Sequence, residues 1–457
     1  MSFFIRNSRK LTKRVKPSKG SAAKVPKLKK TKLEDEEILS EESDIEEGDL
    51  RSQREKTPIS EDETETAQEK RLRLAKKVLE EIEKQEKERF VEEADVTEAV
   101  GKRLREEALE QAGKLRRRVA DTLEVDAEHS FFLKCKDHKL SVTCAVASSD
   151  GLMFSASKDS SIVKWCLEEK KKLNCIRGGK NSGENGHTQP VQALALSTDG
   201  KFLASGCEGK LIHIWDPSSL THVHTFRGHR DAISGLAFRK NSHTLFSSSK
   251  DKSVKVWNLD EMAYVETLFG HTDSITSVDA LIRERALTSG GRDGTVRLWK
   301  IVEESQLIYN GHSGSIDCVR FVNDEHFVSS GDDGNLSLWG LMKKKPLYTQ
   351  QKAHGEEENG VPRWISSVAA LQNTDLIASA GSNSGEIKFW KCGENFRNLL
   401  TLQSHPVEGF VNSLHFCPTS DGAILLAGIG QEHRLGRWWR HKEAKNGILC
   451  ITLKKKT

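Results

Sequence analysis

No run of about 18 apolar residues occurs in the 457-residue chain, so no membrane-spanning helix is expected. The opening Met1-Ser2-Phe3-Phe4-Ile5-Arg6 is too short in apolar residues for a secretory leader. Cysteines stand at Cys135, Cys144, Cys166, Cys175, Cys207, Cys318, Cys392, Cys417 and Cys450, and none form a Cys-x-x-Cys pair. An odd, scattered set without zinc spacing speaks against a disulfide framework or a metal knuckle and for free thiols in a reducing compartment. Also missing are a phosphate-cradling glycine loop and an isolated nucleophile elbow. The sequence therefore predicts no enzyme, no cofactor, no metal and no small-molecule substrate.

Charge is abundant but unevenly arranged. Residues 1–130 hold 30 Lys/Arg against 32 Asp/Glu, and the rest hold 41 against 35. Residues 1–33 carry twelve Lys/Arg and no acid, clustered at Lys10, Lys13, Arg14 and Lys16 and again at Lys27, Lys29, Lys30 and Lys32. Two basic clusters of this kind read as a nuclear targeting signal or a nucleic-acid arm. Residues 34–49 then hold ten acids. Such a block cannot bury enough apolar surface to offset chain entropy, so residues 1–60 are expected to be a disordered, basic-then-acidic tail. Ser40 and Ser43 lie among those acids and are candidate phosphorylation sites.

Residues 61–128 read as charged amphipathic helices. Thr66-x-x-Glu69 resembles a capping box. Leu72, Ala75, Leu79 and Ile82 then recur at helical spacing, with Lys70, Arg71, Arg73, Lys76 and Lys77 on the other face. A second helix is expected from about Asp95 to Leu123, with an apolar stripe of Val100, Leu104, Ala108, Leu115 and Val119. Its cations include Lys102, Arg103, Arg105 and the run Lys114 to Arg118. The pair could pack on each other or on the next domain, or clamp RNA or a partner.

From residue 129 to the end the dominant signal is internal repetition. Tryptophans recur at Trp165, Trp215, Trp257, Trp299, Trp339, Trp390 and Trp438 or Trp439, mostly 40–51 residues apart. Each follows a histidine: His138, His187, His229, His271, His312, His354 and His405. A serine ten before Trp and an acid six before it complete four repeats, as Ser155/Asp159, Ser247/Asp251, Ser289/Asp293 and Ser329/Asp333. A His-Ser-Asp set suggests a protease, but a catalytic triad occurs once and this set returns with every good repeat. We read it as architecture: Asp accepts from the His ring, Ser bridges, and the Trp indole closes a buried chain.

The pattern resembles the WD-repeat family, which implies an all-β, seven-bladed propeller. Repeat two departs from it, with Gly209 at the acid offset and Glu208 beside it. Repeat six departs too, with Ala380 and Ser384 at the serine and acid offsets. Repeat seven reads Gln431-Glu432-His433-Arg434-Leu435-Gly436-Arg437-Trp438-Trp439-Arg440, one tryptophan being expected in the core. Phe131–Cys135 and Ile448–Leu453 are rival outer strands for blade seven. In this family the residue before the repeat Asp points from the working face; here it is Lys158, Lys250 and Arg292, with Arg227 and Arg230 flanking Gly228-His229. Such cations are either ordinary surface charge or a grip on a polyanion. Arg434, Arg437 and Arg440 beside the tryptophans, with Gln431 and His433, suit phosphate contact with base stacking.

A narrower resemblance rests on several stretches. They are Glu65-Thr66-Ala67-Gln68-Glu69-Lys70-Arg71-Leu72-Arg73-Leu74-Ala75, Gly228-His229-Arg230-Asp231-Ala232, Tyr264-Val265-Glu266-Thr267-Leu268-Phe269-Gly270-His271, Gly290-Gly291-Arg292-Asp293-Gly294-Thr295-Val296-Arg297 and Gly430 to Trp439. From about residue 60 onward the chain resembles the U3 small nucleolar RNA-associated WD-repeat proteins. The resemblance implies a nucleolar component of the small-subunit processome acting in early pre-ribosomal RNA cleavage. It further implies binding of the box B/C kink-turn of U3 RNA with a small kink-turn-binding core protein, among other box C/D particle and processome proteins. The competing expectation is a WD-repeat protein–protein adaptor, such as a ubiquitin-ligase substrate receptor or a chromatin reader, since fold alone does not fix function.

Overall fold

The computed structural model describes residues 67–87, 93–148, 150–179, 186–419 and 422–456. The basic clusters, the acidic block, Thr66, Ser40 and Ser43 lie outside them. Seven four-stranded antiparallel sheets follow one another along the chain, as the repeat period requires. Strands are named a to d from the innermost outward. Blade 1 takes Val142–Ala147, Leu152–Ser157, Ile162–Cys166 and Lys171–Ile176, and blades 2 to 6 repeat the pattern from Val191 to Pro406. In each, strands a to c are mostly buried while strand d is half-buried to exposed. A lone blade could not cover both faces, so neighbours stack around a ring. Because the strands alternate in direction, every b–c turn and every d–a connection opens on one face, called upper here. The a–b and c–d turns open on the lower face.

Blade 7 settles the ring closure. Phe410–Thr419, Gly422–Gly430 and Gly447–Lys455 are its strands a to c, and Leu123–Lys134 is strand d, pairing Leu123 with Lys455 and Lys134 with Gly447. The N-terminal strand is thus the outer one, and Ile448–Leu453 lies in strand c. Strand d starts at Leu123, ahead of the boundary read at residue 129. Counted from the bulge in strand a, Ala427 and Ile451 stand where blade 1 has Ser155 and Trp165. Trp438 and Trp439 are therefore not core residues. They lie in the b–c connection, and His405 sits in strand d of blade 6, Leu399–Pro406. Blade 7 has no His-Ser-Trp chain because apolar side chains fill its positions.

The chain divides into two units, residues 1–76 and 77–457. The first helix, α1, runs Ala67–Lys87 and crosses the division; the second, α2, runs Glu93–Gln111. Ile82 of α1 is buried against Val100 and Leu104 of α2. α2 stops at Gln111, well short of Leu123, because Gly113 takes a positive φ and the following residues bond to the ring instead of to a helix. Residues 112–122 form a strap along the lower face. Arg117 N–H donates to the Asn373 carbonyl at 2.8 Å, and Val119 and Ala120 N–H donate to the Asp375 carboxylate at 2.8 and 2.9 Å. Leu115 and Ala120 are buried. Leu115, Glu110 and Arg117 line the lower end of the central channel, a cavity of about 510 Å³, and Asn412 and Arg434 also line it.

Candidate nucleic-acid interface on the upper face

Six blades carry the buried chain that ends on tryptophan. In blade 3, His229 Nδ1 donates to Asp251 at 2.9 Å, the Ser247 hydroxyl donates to His229 Nε2 at 2.7 Å, and Trp257 Nε1 donates to the Ser247 oxygen at 2.8 Å. The indole has only a proton to give and the carboxylate only lone pairs, which fixes every donor between them. Blade 5 repeats this through His312, Asp333, Ser329 and Trp339. In blade 4 the hydroxyl is Thr288, not Ser289: His271 Nε2 and Trp299 Nε1 both meet Thr288 Oγ1 at 2.8 Å. There the tryptophan lies eleven residues on, and Ser289 faces Thr276 instead. Blade 6 shows the same extra residue, using Ser379 with His354 and Trp390. In blade 1, Trp165 and His138 share Ser155, and His138 Nδ1 meets Ser161, whose hydroxyl bonds Asp159. Blades 2 and 6 lack the acid, and His187 Nδ1 and His354 Nδ1 have no partner among the described residues. Burial alone would raise the Asp251 carboxyl, but the hydrogen bonds from His229, Ser253 and Arg230 hold it well below the usual range.

These residues are therefore occupied in holding blades together, which leaves the upper-face loops as the candidate site. Lys250, Arg292, Arg227 and Arg230 are exposed there or at the adjoining strand end. The cations do not close a ring, because exposed Asp332, Glu356 and Glu358 interrupt it at blades 5 and 6. Lys158 is not a free cation. It lies 3.9 Å from the Glu432 carboxylate and donates to the Gly436 carbonyl at 3.3 Å, tying the blade-7 loop to blade 1.

The blade-7 loop, residues 431–446, is the most elaborated b–c connection. Gln431 fastens its base: the side-chain amide donates to the Ala444 carbonyl at 2.8 Å, and the backbone carbonyl accepts from His441 N–H at 3.0 Å. Glu432 is buried and sits 2.9 Å from Arg437 Nε and 4.0 Å from Arg440 Nε. His433 is buried and accepts from Leu435 N–H at 3.2 Å; burial, with Arg434 and Lys158 nearby, pushes its pKa down to about 3. Arg434 turns inward, its N–H bonded to Asn412 at 2.7 Å and its guanidinium 3.5 Å from the Asp317 carbonyl. Trp438 and Trp439 remain 62% and 48% exposed, which is costly for indoles without a ligand. The loop thus offers two aromatic faces with Arg437 and Arg440 beside them.

The N-terminal cations are placed differently. Arg71, Arg73, Lys76 and Lys77 are exposed along α1, and of Lys70 only the backbone is described. The basic run of the second helical stretch lies in the strap. Arg116 pairs with Glu325, Arg117 with Glu106 and Arg118 with Glu394, so these arginines face protein acids. Reading the sequence overlooked Trp364, which falls off the repeat period and packs on His433 with ring centres 4.3 Å apart. A ninth tryptophan beyond the repeat set was the available signal. Among the described residues no group of three His, Cys, Asp or Glu could hold a metal ion, and no helix is long and apolar enough to cross a membrane.

Comparison with known proteins agrees with this architecture. The WD domain, G-beta repeat family matches residues 130–166, 180–216, 220–258, 262–300 and 303–340, the first five repeats. The chain is 53% identical to the human U3 small nucleolar RNA-interacting protein 2 over 398 residues, 86% of this chain and 83% of that protein. It is 34% identical to the Arabidopsis thaliana U3 snoRNP-associated protein-like EMB2271 over 417 residues, 85% of this chain and 86% of that one. Two solved structures, "Structure of U3-55K" and "Crystal structure of RRP9 WD40 repeats", superpose with TM-scores of 0.68 and 0.69 at 53% identity. Each covers 72% of this chain, and 99% and 100% of the respective solved chain. A seven-bladed ring with this degree of identity over most of its length belongs to the U3 small nucleolar RNA-interacting family of WD-repeat proteins.

Proposed function

We propose that the chain is a non-catalytic RNA- and protein-binding scaffold of the U3 small nucleolar ribonucleoprotein. In this reading it grips the box B/C kink-turn together with a small kink-turn-binding protein and works in the nucleolus during pre-ribosomal RNA processing. The observation that carries the reading is the blade-7 loop: two exposed indoles beside Arg437 and Arg440, on a scaffold pinned by buried Glu432. Aromatic faces stack unpaired bases of any identity, while arginines take phosphate. Lys250, Arg292 and Arg230 on the same face supply further cations, and α1 adds its own. The names of the relatives point the same way.

The test is binding of the full chain to an RNA bearing the box B/C kink-turn, with its kink-turn protein present, across a salt series. Arg437→Ala with Arg440→Ala is expected to lower the slope of log affinity against log salt by about 2, roughly one per phosphate contact. Trp438→Ala with Trp439→Ala is expected to weaken binding by about 1–3 kcal/mol per stacked base. Wild-type affinity and slope in both variants, with melting temperatures intact, would remove the loop from the interface.

A further inference from the structure

At four blades the residue in the bulge of strand a stitches that blade to its neighbour. Thr143 Oγ1 donates to the Val191 carbonyl of blade 2 at 2.7 Å, and Thr276 Oγ1 to the Ile316 carbonyl of blade 5 at 2.6 Å. Ser366 Oγ donates to the Val411 carbonyl of blade 7 at 2.8 Å, and Asn412 Nδ2 to the Val142 carbonyl of blade 1 at 2.8 Å. The equivalent Gln192 and Ser234 are also neutral, but they bond within their own blades, to Glu208 at 2.9 Å and Ser248 at 3.1 Å. Blade 5 alone places an acid there, Asp317. Its side chain accepts here and donates to no blade-6 carbonyl among the described residues.

Asp317 instead accepts from the indole N–H of Trp364, the residue just ahead of strand a of blade 6. Asp317 is 4% exposed, so the carboxyl is committed to this contact rather than to solvent. The Trp364 ring packs on buried His433 and lies 6.2 Å from Trp438, while His433 lies 6.0 Å from Trp438. Arg434, next to His433, brings its guanidinium within 3.5 Å of the Asp317 backbone carbonyl, near enough for its charge to act on the carboxyl. A continuous path thus runs from blade 5 through Asp317, Trp364 and His433 to the exposed Trp438 of the blade-7 loop.

We propose that Asp317 and Trp364 are positioning residues for the RNA-binding loop, acting through His433 and Arg434 without touching RNA. The proposal rests on the loop being the RNA contact. The ring does not require this pair, since six blades place a neutral donor where blade 5 has Asp317. A fixed indole does suit a stacking platform, because a pre-oriented aromatic loses less conformational freedom on binding. Burial pushes the Asp317 carboxyl up to about 7; Arg434 and the Trp364 indole oppose the rise, and Asp332 and Asp333 add to it. His433 stays neutral in that range, and His312 is engaged with Asp333. Above neutrality the carboxylate balances Arg434 and holds the indole; below it, both attractions weaken.

Two variants of the full chain separate this role from a general structural one. Asp317→Asn keeps the shape and removes the charge, and Trp364→Phe keeps a ring and removes the N–H. Both are expected to raise hydrogen–deuterium exchange across residues 431–446 in the RNA-free protein, leaving the strands of blade 3 unchanged. Both are expected to bind the box B/C RNA with its kink-turn protein about 3- to 10-fold more weakly. Wild-type affinity is expected to fall more between pH 8 and pH 6 than that of Asp317→Asn, which has no charge to lose. Unchanged loop exchange overturns the proposal. So does raised exchange with unchanged affinity, provided Trp438→Ala weakens binding. Normal binding by Trp438→Ala refutes the loop reading beneath it.

Discussion

Replacing Asp293 with alanine removes three hydrogen bonds from blade 4 at once. The carboxylate accepts from His271 Nδ1–H at 2.6 Å, from Thr295 N–H at 2.9 Å and from the Thr295 hydroxyl at 3.0 Å, and its side chain is 2% exposed. Leaving the buried imidazole N–H unpaired costs about 1–3 kcal/mol, and losing the two threonine bonds adds about 1 kcal/mol, so a loss near 3 kcal/mol is expected. A ring of ~330 residues unfolds with an entropy near 0.7 kcal/mol/K at about 2.1 cal/mol/K per residue, so the midpoint should fall by about 4 °C. The variant should still fold, because blades 2 and 6 already lack the acid and leave His187 and His354 Nδ1 without a partner among the described residues. Scanning calorimetry of the full chain gives the answer. An unchanged midpoint would refute the claim that these residues are architectural and would reopen the question of what the repeated acid is for.

Other outcomes follow from the same geometry. Thr288→Ala should lower the midpoint by a few degrees, whereas Ser289→Ala should lower it less, because only Thr288 joins His271 to Trp299; calorimetry of the pair decides. Removing residues 1–122 deletes the strap with buried Leu115 and Ala120 and its bonds to Asp375, at a cost of about 3–5 kcal/mol. A chain beginning at Leu123 that melts with the full chain would contradict this. Acid should destabilise the ring before most carboxylates protonate. Burial holds His138 and His415 near 4 and His354 and His433 near 3, below the unfolded value of about 6.5. The unfolded chain then takes up protons that the fold refuses, so stability is full above pH 6.5 and drains as pH falls towards 4. A flat midpoint across that interval would show that these imidazoles are not buried neutral.

Most of the ring was legible because one blade's requirements recur. A hydroxyl that must meet an indole and an imidazole returns at nearly fixed spacing, and the repeat alone fixes a strand-rich ring. Legibility failed where spacing was preserved but the register moved. Ser289 occupies the expected offset in blade 4, yet one extra residue before Trp299 hands its role to Thr288. It failed again in blade 7, where Trp438 and Trp439 sit near the right period but in a loop, and Ile451 takes the core position. The upper-face cations were visible as residues, but their partners were not. Lys158 meets Glu432, and Arg116, Arg117 and Arg118 meet acids distant in sequence or across the strap. Periodicity has no access to such pairings, because they join elements that no local pattern relates. Trp364 and Asp317 belong to that class.

The central claim is that the upper-face loop of blade 7 meets RNA while the lower-face strap serves the fold. Ultraviolet crosslinking of the protein to RNA in cells, followed by mapping of the RNA-bearing peptides, tests it most directly. The account predicts U3 RNA attached to peptides within residues 431–446 and none on residues 110–122. Crosslinks concentrated on the strap, with the blade-7 loop bare, would contradict it.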